Sequence, residues 1–378
     1  MFIVESMPSL DIAMPTALLI VVIVAMFLNK RAEGKLAATV EQKEFKPRDI
    51  ILLVLFIAIA ISVIAVTSML NLGEVFPNIL MIVFLSSYTM LLFTFTLVFS
   101  NLTRIRVQLL SAGFGIASLI VGVASLIGPI ADAYTIYRAI AFFALTALCF
   151  GVVVYEQKNV ISKKRWYLAA QPPAIFVLLF AFFNVAYGGT VSVWFPVLMD
   201  VFGFTFAILI ILYLSSMFNW KTVGLFAVLL TVLDVILVFS GPMVTAARTF
   251  TGLGLPVLVY LPNFPVILNQ AGEIGLRGLG LGDFFFAGIL AVQTFKQFGK
   301  RTGIITAVSM ALAFGIWEAF LPEITKYFNI GGFPATVCII TGWLPIVAWK
   351  LLTARNQPKS LPVAEQIDQP IEPPANPL

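Results

Sequence analysis

The chain has 378 residues, of which 60% are hydrophobic and only 11% charged, with a mean hydropathy of +1.03. Soluble domains carry roughly 45–50% apolar and about 25% charged residues, so this composition excludes a water-soluble globular protein. It also contains no histidine, which removes Ser-His hydrolases, His-ligated metalloproteases and haem or zinc sites built on imidazole.

A bilayer demands apolar runs of roughly 20 residues. Eleven such runs lie between the charge clusters, near 12–29, 50–71, 76–99, 108–130, 136–155, 171–188, 192–217, 222–241, 274–298, 302–322 and 332–351. The N-terminal MFIVESMPSLD lacks a basic region and carries Glu5 and Asp11, so no cleavable signal peptide is expected. Gly188-Gly189 and Asp200 interrupt the pattern at the sixth and seventh spans. Cys149 and Cys338 both sit in apolar runs, as small core residues do. The last 26 residues hold six prolines and no aromatic, and a disordered tail is expected over 353–378.

Lysine and arginine counts in the loops set the orientation. Every second loop is basic, beginning with Lys30, Arg31, Lys35, Lys43, Lys46 and Arg48 between spans one and two. In all, 19 of the 23 basic residues fall on one side; Arg138, Arg248, Arg277 and Lys326 fall on the other. A multi-pass protein of the cell membrane, with its N-terminus outside and its C-terminus in the cytoplasm, is expected. The net charge of +5 is thus a topology signal, and nucleic acid need not be invoked.

Four carboxylates fall within the spans: Asp200, Asp234, Asp283 and Glu318. A carboxylate in hydrocarbon is costly, so each is a functional hypothesis by default. Asp200 reads as a boundary or helix-pairing residue, and Glu318, four residues before Pro322, as snorkelling to the interface. Asp234 differs, because no charged residue lies between Lys221 and Arg248 to neutralise it. Asp283 differs because it ends the glycine-rich run Gly280-Leu281-Gly282-Asp283, and glycines permit close backbone approach. Each aspartate lies roughly 9 Å inside its span, counting from a shared outer loop at 1.5 Å per residue. Two carboxylates at one depth on adjacent antiparallel helices can face each other.

These residues resemble the GxGD aspartyl intramembrane proteases, the family of presenilin, signal peptide peptidase and their archaeal relatives. The GxGD motif matches Gly280, Leu281, Gly282 and Asp283. The Tyr-Asp motif matches Asp234 with Leu233 in place of tyrosine, and LDVILVFSGPMVTAARTF looks like the signal-peptide-peptidase version. The Pro-Ala-Leu motif matches Pro334 and Ala335, with Thr336 replacing leucine. The resemblance covers roughly residues 190 to 352 and keeps the family's order of motifs.

The resemblance implies an all-α polytopic membrane protein with a presenilin-like helical bundle of about nine core helices. On that view residues 1–75 hold two extra spans and a basic loop, 76–188 the N-terminal helices of the bundle, and 189–352 the catalytic helices. It implies an aspartic endopeptidase with catalytic Asp234 and Asp283, acting on transmembrane peptides or signal-peptide remnants with a cytoplasmic N-terminus. Two such carboxyls share one proton and titrate as a pair. One takes a proton from the attacking water and the other donates one, so no cofactor and no metal is needed. Pro334 would leave irregular backbone at the cavity. Asp200→Asn and Glu318→Gln are expected to keep activity.

The competing class is a proton- or sodium-coupled transporter, which also uses paired intramembrane acids and glycine-broken helices. The outer run from Leu255 to Leu268 contains Pro256, Pro262 and Pro265, too many for a helix. It reads either as a covering loop or, over Val257 to Leu261, as an edge strand that pairs with an unwound substrate.

Overall fold

Apolar runs in hydrocarbon satisfy their backbone groups by forming helices. The computed structural model of the protein is built that way over the residues it describes, 11–39, 44–70, 75–127, 134–158, 165–185, 193–265, 275–328 and 332–356. The first half supplies α1 (Ala13–Thr39), α2 (Pro47–Met69), α3 (Val75–Val98), α4 (Arg104–Leu126), α5 (Thr135–Lys158), the short α6 (Trp166–Ala169) and α7 (Gln171–Phe180). A π-helical turn (Ala181–Val185) extends α7, and a second (Trp194–Leu198) leads into α8 (Met199–Ser215). Then come α9 (Trp220–Phe239), α10 (Pro242–Gly252), β1 (Leu258–Pro262), β2 (Leu276–Gly280), α11 (Leu281–Phe298), α12 (Lys300–Phe328) and α13 (Ala335–Asn356).

Among the described residues, ten helical segments are long and apolar enough to cross a membrane. The protein is therefore an all-α polytopic membrane protein, carrying one two-stranded hairpin. Ten of the eleven expected runs correspond to these segments; the run at 274–298 does not. Its first residues form β2, and the helix proper has only 18 residues. Those 18 include Asp283, Gln293 and Lys296, which lower their hydropathy. The helix tolerates them because protein surrounds it.

Every residue from Phe286 to Thr294 is buried, enclosed by α1, α8, α9, α12 and α13. A helix encased on all sides needs no lipid-facing stripe, but its polar side chains need partners. Gln293 Nε2 donates to the carbonyls of Ser215 and Phe218, both at 2.8 Å, and Thr294 Oγ1 accepts from Trp343 Nε1 at 3.0 Å.

The first two helices belong to this core and are no appendage. α1 lies against α8, α11 and α12, while α2 lies against α9 and α10. It is α4 and α5 that pack chiefly on each other, touching the remainder through α7 and, by Glu156 with Arg165 and Tyr167, through the start of α6. A stripe of Ser111, Gly115, Ser118, Gly122 and Ser125 on α4 is buried in that pair, the small-residue contact that brings membrane helices close. Both cysteines are buried and free. The tail from 357 onwards, Gly188-Gly189 and the first ten residues lie outside the described residues.

Candidate active site

Asp234 and Asp283 come together. Asp234 sits on α9 and Asp283 is the third residue of α11, and both line one cavity of about 360 Å³ with Leu233, Gly282 and Thr336. The six helical residues expected above Asp283 are in reality two helical residues and the extended strand β2. The cavity is otherwise apolar, walled by α2 residues such as Phe56, Ile57 and Ile61 and by Phe84 of α3.

Each carboxylate is oriented by the start of a helix. Pro334 immediately precedes α13, so the first turn of α13 carries backbone N–H groups without helical partners. Thr336 donates its N–H to Asp234 Oδ2 at 3.3 Å and its hydroxyl to the same oxygen at 2.6 Å. A carboxylate at a helix N-terminus is further stabilised by the helix dipole. Asp283 reaches back within its own first turn, accepting the N–H of Gly280. A Cβ built at Gly280 would stand 3.2 Å from Asp283 Oδ2, so the glycine before the acid leaves room for the carboxylate to fold back. Leu281 N–H donates to the Val257 carbonyl at 2.8 Å, tying the helix start to the hairpin.

The hairpin's register determines which of its edges is open. β1 and β2 are antiparallel, with Val259 opposite Leu279 and Tyr260 opposite Gly278. Bonds from Leu281 N to Val257 O and from Asn263 N to Gly275 O mark the hydrogen-bonded phase. By alternation, Leu258, Tyr260 and Pro262 turn their backbone groups away from β2, and Leu276, Gly278 and Gly280 turn theirs away from β1. The outer edge of β1 is already engaged: Tyr260 N–H donates to Asp200 Oδ1 at 2.6 Å. Gly203, one turn along α8, admits this approach, since a Cβ there would meet Val259 Cγ2 at 2.9 Å. The expected strand at Val257 to Leu261 thus exists, but its docking role is corrected. One edge is held by β2 and the other is occupied by Asp200, so the open edge belongs to β2.

Glu318 also differs from expectation. It is buried and forms an ion pair with Arg277 of β2, Oε1 to Nη1 at 3.0 Å. Snorkelling fails because a cationic partner lies inside the bundle, and pairing there avoids stranding either charge. The hairpin is accordingly bracketed by two intramembrane acids, Asp200 against β1 and Glu318 against β2.

The buried chain leading into β1 is held by side chains from distant elements. Asn184 Nδ2 donates to Leu253 O at 2.9 Å, Trp194 Nε1 to Gly254 O at 2.7 Å, and Tyr88 OH to Pro256 O at 3.3 Å. On the far side, Asp11 Oδ1 accepts the Phe264 N–H at 2.8 Å, so the start of α1 also clasps the loop. The sequence reading missed all four residues. For Tyr88, Asn184 and Trp194 the available signal was polar groups within apolar runs, the same signal that singled out the aspartates; Asp11, ahead of the first run, carried none.

A second cavity of about 660 Å³ also reaches Asp283. It runs along Gly278, Leu279 and Gly280 of β2 and is walled by α10 and by Phe333 and Ala335 at the start of α13. The open strand edge and one of the two carboxylates therefore share a single space. No family model matches this chain, and neither a curated protein nor a solved structure is detectably similar to it.

Proposed function

We propose that this protein is an intramembrane aspartyl endopeptidase that hydrolyses peptide bonds of transmembrane segments through Asp234 and Asp283. The observation that carries the reading is the joint placement of two carboxyls, the buried Asp234 and the half-buried Asp283, in one cavity with an open strand edge leading to them. Paired acids alone would suit a proton-coupled carrier equally well. What favours the protease is that the unpaired backbone at Gly278 belongs to an extended strand, the form that can hold an unwound peptide.

In this reading the substrate segment adds to β2 as a third strand, which presents an extended peptide bond to the carboxyls. One carboxylate removes a proton from water as the water oxygen bonds to the scissile carbonyl carbon. The protonated partner donates its proton to the carbonyl oxygen. Collapse of the tetrahedral intermediate breaks the C–N bond, and a proton passes to the leaving nitrogen. One water is consumed, and a new carboxyl and a new amine are released. Thr336 and Gly280 keep the two carboxyls in position throughout.

The loop charges support a C-terminus in the cytoplasm and a hairpin near the opposite face, so substrates enter with a cytoplasmic N-terminus. The test is cleavage of a single-span peptide by purified protein in liposomes, beside Asp234→Asn and Asp283→Asn. Each variant is expected to fold and to lose cleavage. Near-wild-type turnover in either variant, or dissipation of a proton gradient without cleavage, would overturn the proposal in favour of transport.

A further inference from the structure

One face of β2 is bare where the strand nears Asp283. Gly278 and Gly280 stand on it, while Leu279 between them is buried with its partner Val259 on the other face. Two groups from elsewhere lie over the bare face. A Cβ built at Gly278 would meet Tyr260 Cε1 at 2.8 Å, and one built at Gly280 would stand 3.2 Å from Asp283 Oδ2. The Tyr260 ring and the Asp283 carboxyl therefore share a face, over glycines about 7 Å apart along the strand. Both line the second cavity. The ring is held in place from two sides: its hydroxyl lies 2.6 Å from Thr251 Oγ1 of α10, and Phe195 packs edge-on against it at 5.1 Å between centroids. Tyr260 is half-buried and Gly278 exposed. An aromatic ring laid across a cross-strand glycine covers the backbone that glycine leaves open, and this one also borders the edge at which a third strand would add.

From this geometry we infer that Tyr260 sets the cleavage register: it selects a bulky apolar side chain, aromatic above all, at the substrate residue opposite Gly278, and so decides which peptide bond reaches Asp283. The inference rests on the proteolytic reading. Backbone hydrogen bonds are alike at every residue, so strand addition to a glycine-rich edge leaves the register loosely specified. A side chain opposite Gly278 shares the face of Tyr260 and reaches its ring, because paired residues on adjacent strands have Cβ atoms about 4.5–5.5 Å apart. The residue opposite Gly280, two positions away, then lies beside the Asp283 carboxyl. A slip by one residue turns the bulky side chain to the other face and forfeits the contact. Gly278 is required for this arrangement, since a side chain there would displace the ring.

The test uses the full-length protein in phosphatidylcholine liposomes with a set of single-span peptides. Their outer half is alanine except for one Phe, moved one position at a time, and the cut is mapped by mass spectrometry of the products. In wild type the cut is expected to follow the Phe at a constant separation. Each such peptide should exceed the all-alanine one by about 2- to 10-fold in kcat/KM, the order of one aromatic pair. Tyr260→Leu is expected to scatter the cut over neighbouring bonds and to erase the Phe advantage, whereas Tyr260→Phe holds the register. Gly278→Ala, which reaches the ring from the opposite strand, should scatter the cut as Tyr260→Leu does. A wild-type cut that stays at one depth wherever the Phe stands would overturn the inference, by giving the register to the membrane, and would leave the protease reading intact. A cut that still follows the Phe in Tyr260→Leu would also overturn it, by moving the selection to another residue. Failure of wild type to cleave any peptide would instead defeat the protease reading itself, a result distinguishable from both.

Discussion

Thr336 gives both its backbone N–H and its hydroxyl to one oxygen of Asp234, at 3.3 and 2.6 Å. The residue that stands where the resembled family has leucine is therefore a direct hydrogen-bonding partner of one of the two proposed catalytic groups. A hydroxyl bonded to a charged group contributes about 1.5–3 kcal/mol. Thr336→Val, which keeps the shape and the backbone N–H, is expected to lower kcat roughly 10- to 100-fold. Thr336→Ser is expected to retain most activity. Paired pH–rate profiles provide the second check: loss of this donor should displace the acidic limb for Val and leave it in place for Ser. Indistinguishable kinetics for Val and wild type would remove Thr336 from the site.

Asp200 accepts the Tyr260 N–H on the outer edge of β1. Asp200→Asn keeps an acceptor oxygen and is expected to retain both fold and turnover. Asp200→Leu leaves a part-buried N–H without its partner, a loss of about 1 kcal/mol, the lower end of the range for a stranded donor, and opens the second edge of the hairpin. A lower Tm in detergent and slower cleavage are expected for Leu alone. Equal behaviour of the two variants would show that the contact does not hold the hairpin.

Glu318→Gln, which the sequence alone marks as neutral, is expected to be harmful. It leaves Arg277 without its carboxylate, and breaking a buried pair by removing one partner costs about 3–5 kcal/mol. Arg277 keeps partial exposure, with 22% of its side chain accessible, so the lower end of that range applies. The double variant Glu318→Leu with Arg277→Leu should recover much of the loss in Tm, because neither charge is then stranded. A double variant no better than the single ones would refute the pairing.

The open edge of β2 predicts a pattern within the substrate. Gly278 can pair with alternate residues of an added strand, so replacing single substrate amides by esters should matter with a period of two. Each affected position is expected to lose roughly 2- to 10-fold in kcat/KM, the worth of one backbone hydrogen bond at about 0.5–1.5 kcal/mol. A flat profile along the peptide would exclude strand addition.

The amino-acid sequence by itself determined the membrane class and the position of most helices, because hydrocarbon leaves a chain of this hydropathy few alternatives to the helix. It also singled out Asp234, Asp283 and the Gly280–Gly282 run, since acids and clustered glycines inside apolar runs are conspicuous. The partnerships were beyond it. Whether Glu318 faces lipid or Arg277 depends on how α12 packs against β2, and Arg277 gives no local sign of where it points. The start of α11 was misplaced because Leu276–Gly280 is apolar enough to extend a helix, and only pairing with β1 across the intervening loop makes it a strand. The open edge of the hairpin was likewise decided in three dimensions: Asp200 lies 60 residues from Tyr260 in sequence, yet its carboxylate engages the edge that local pattern had left free.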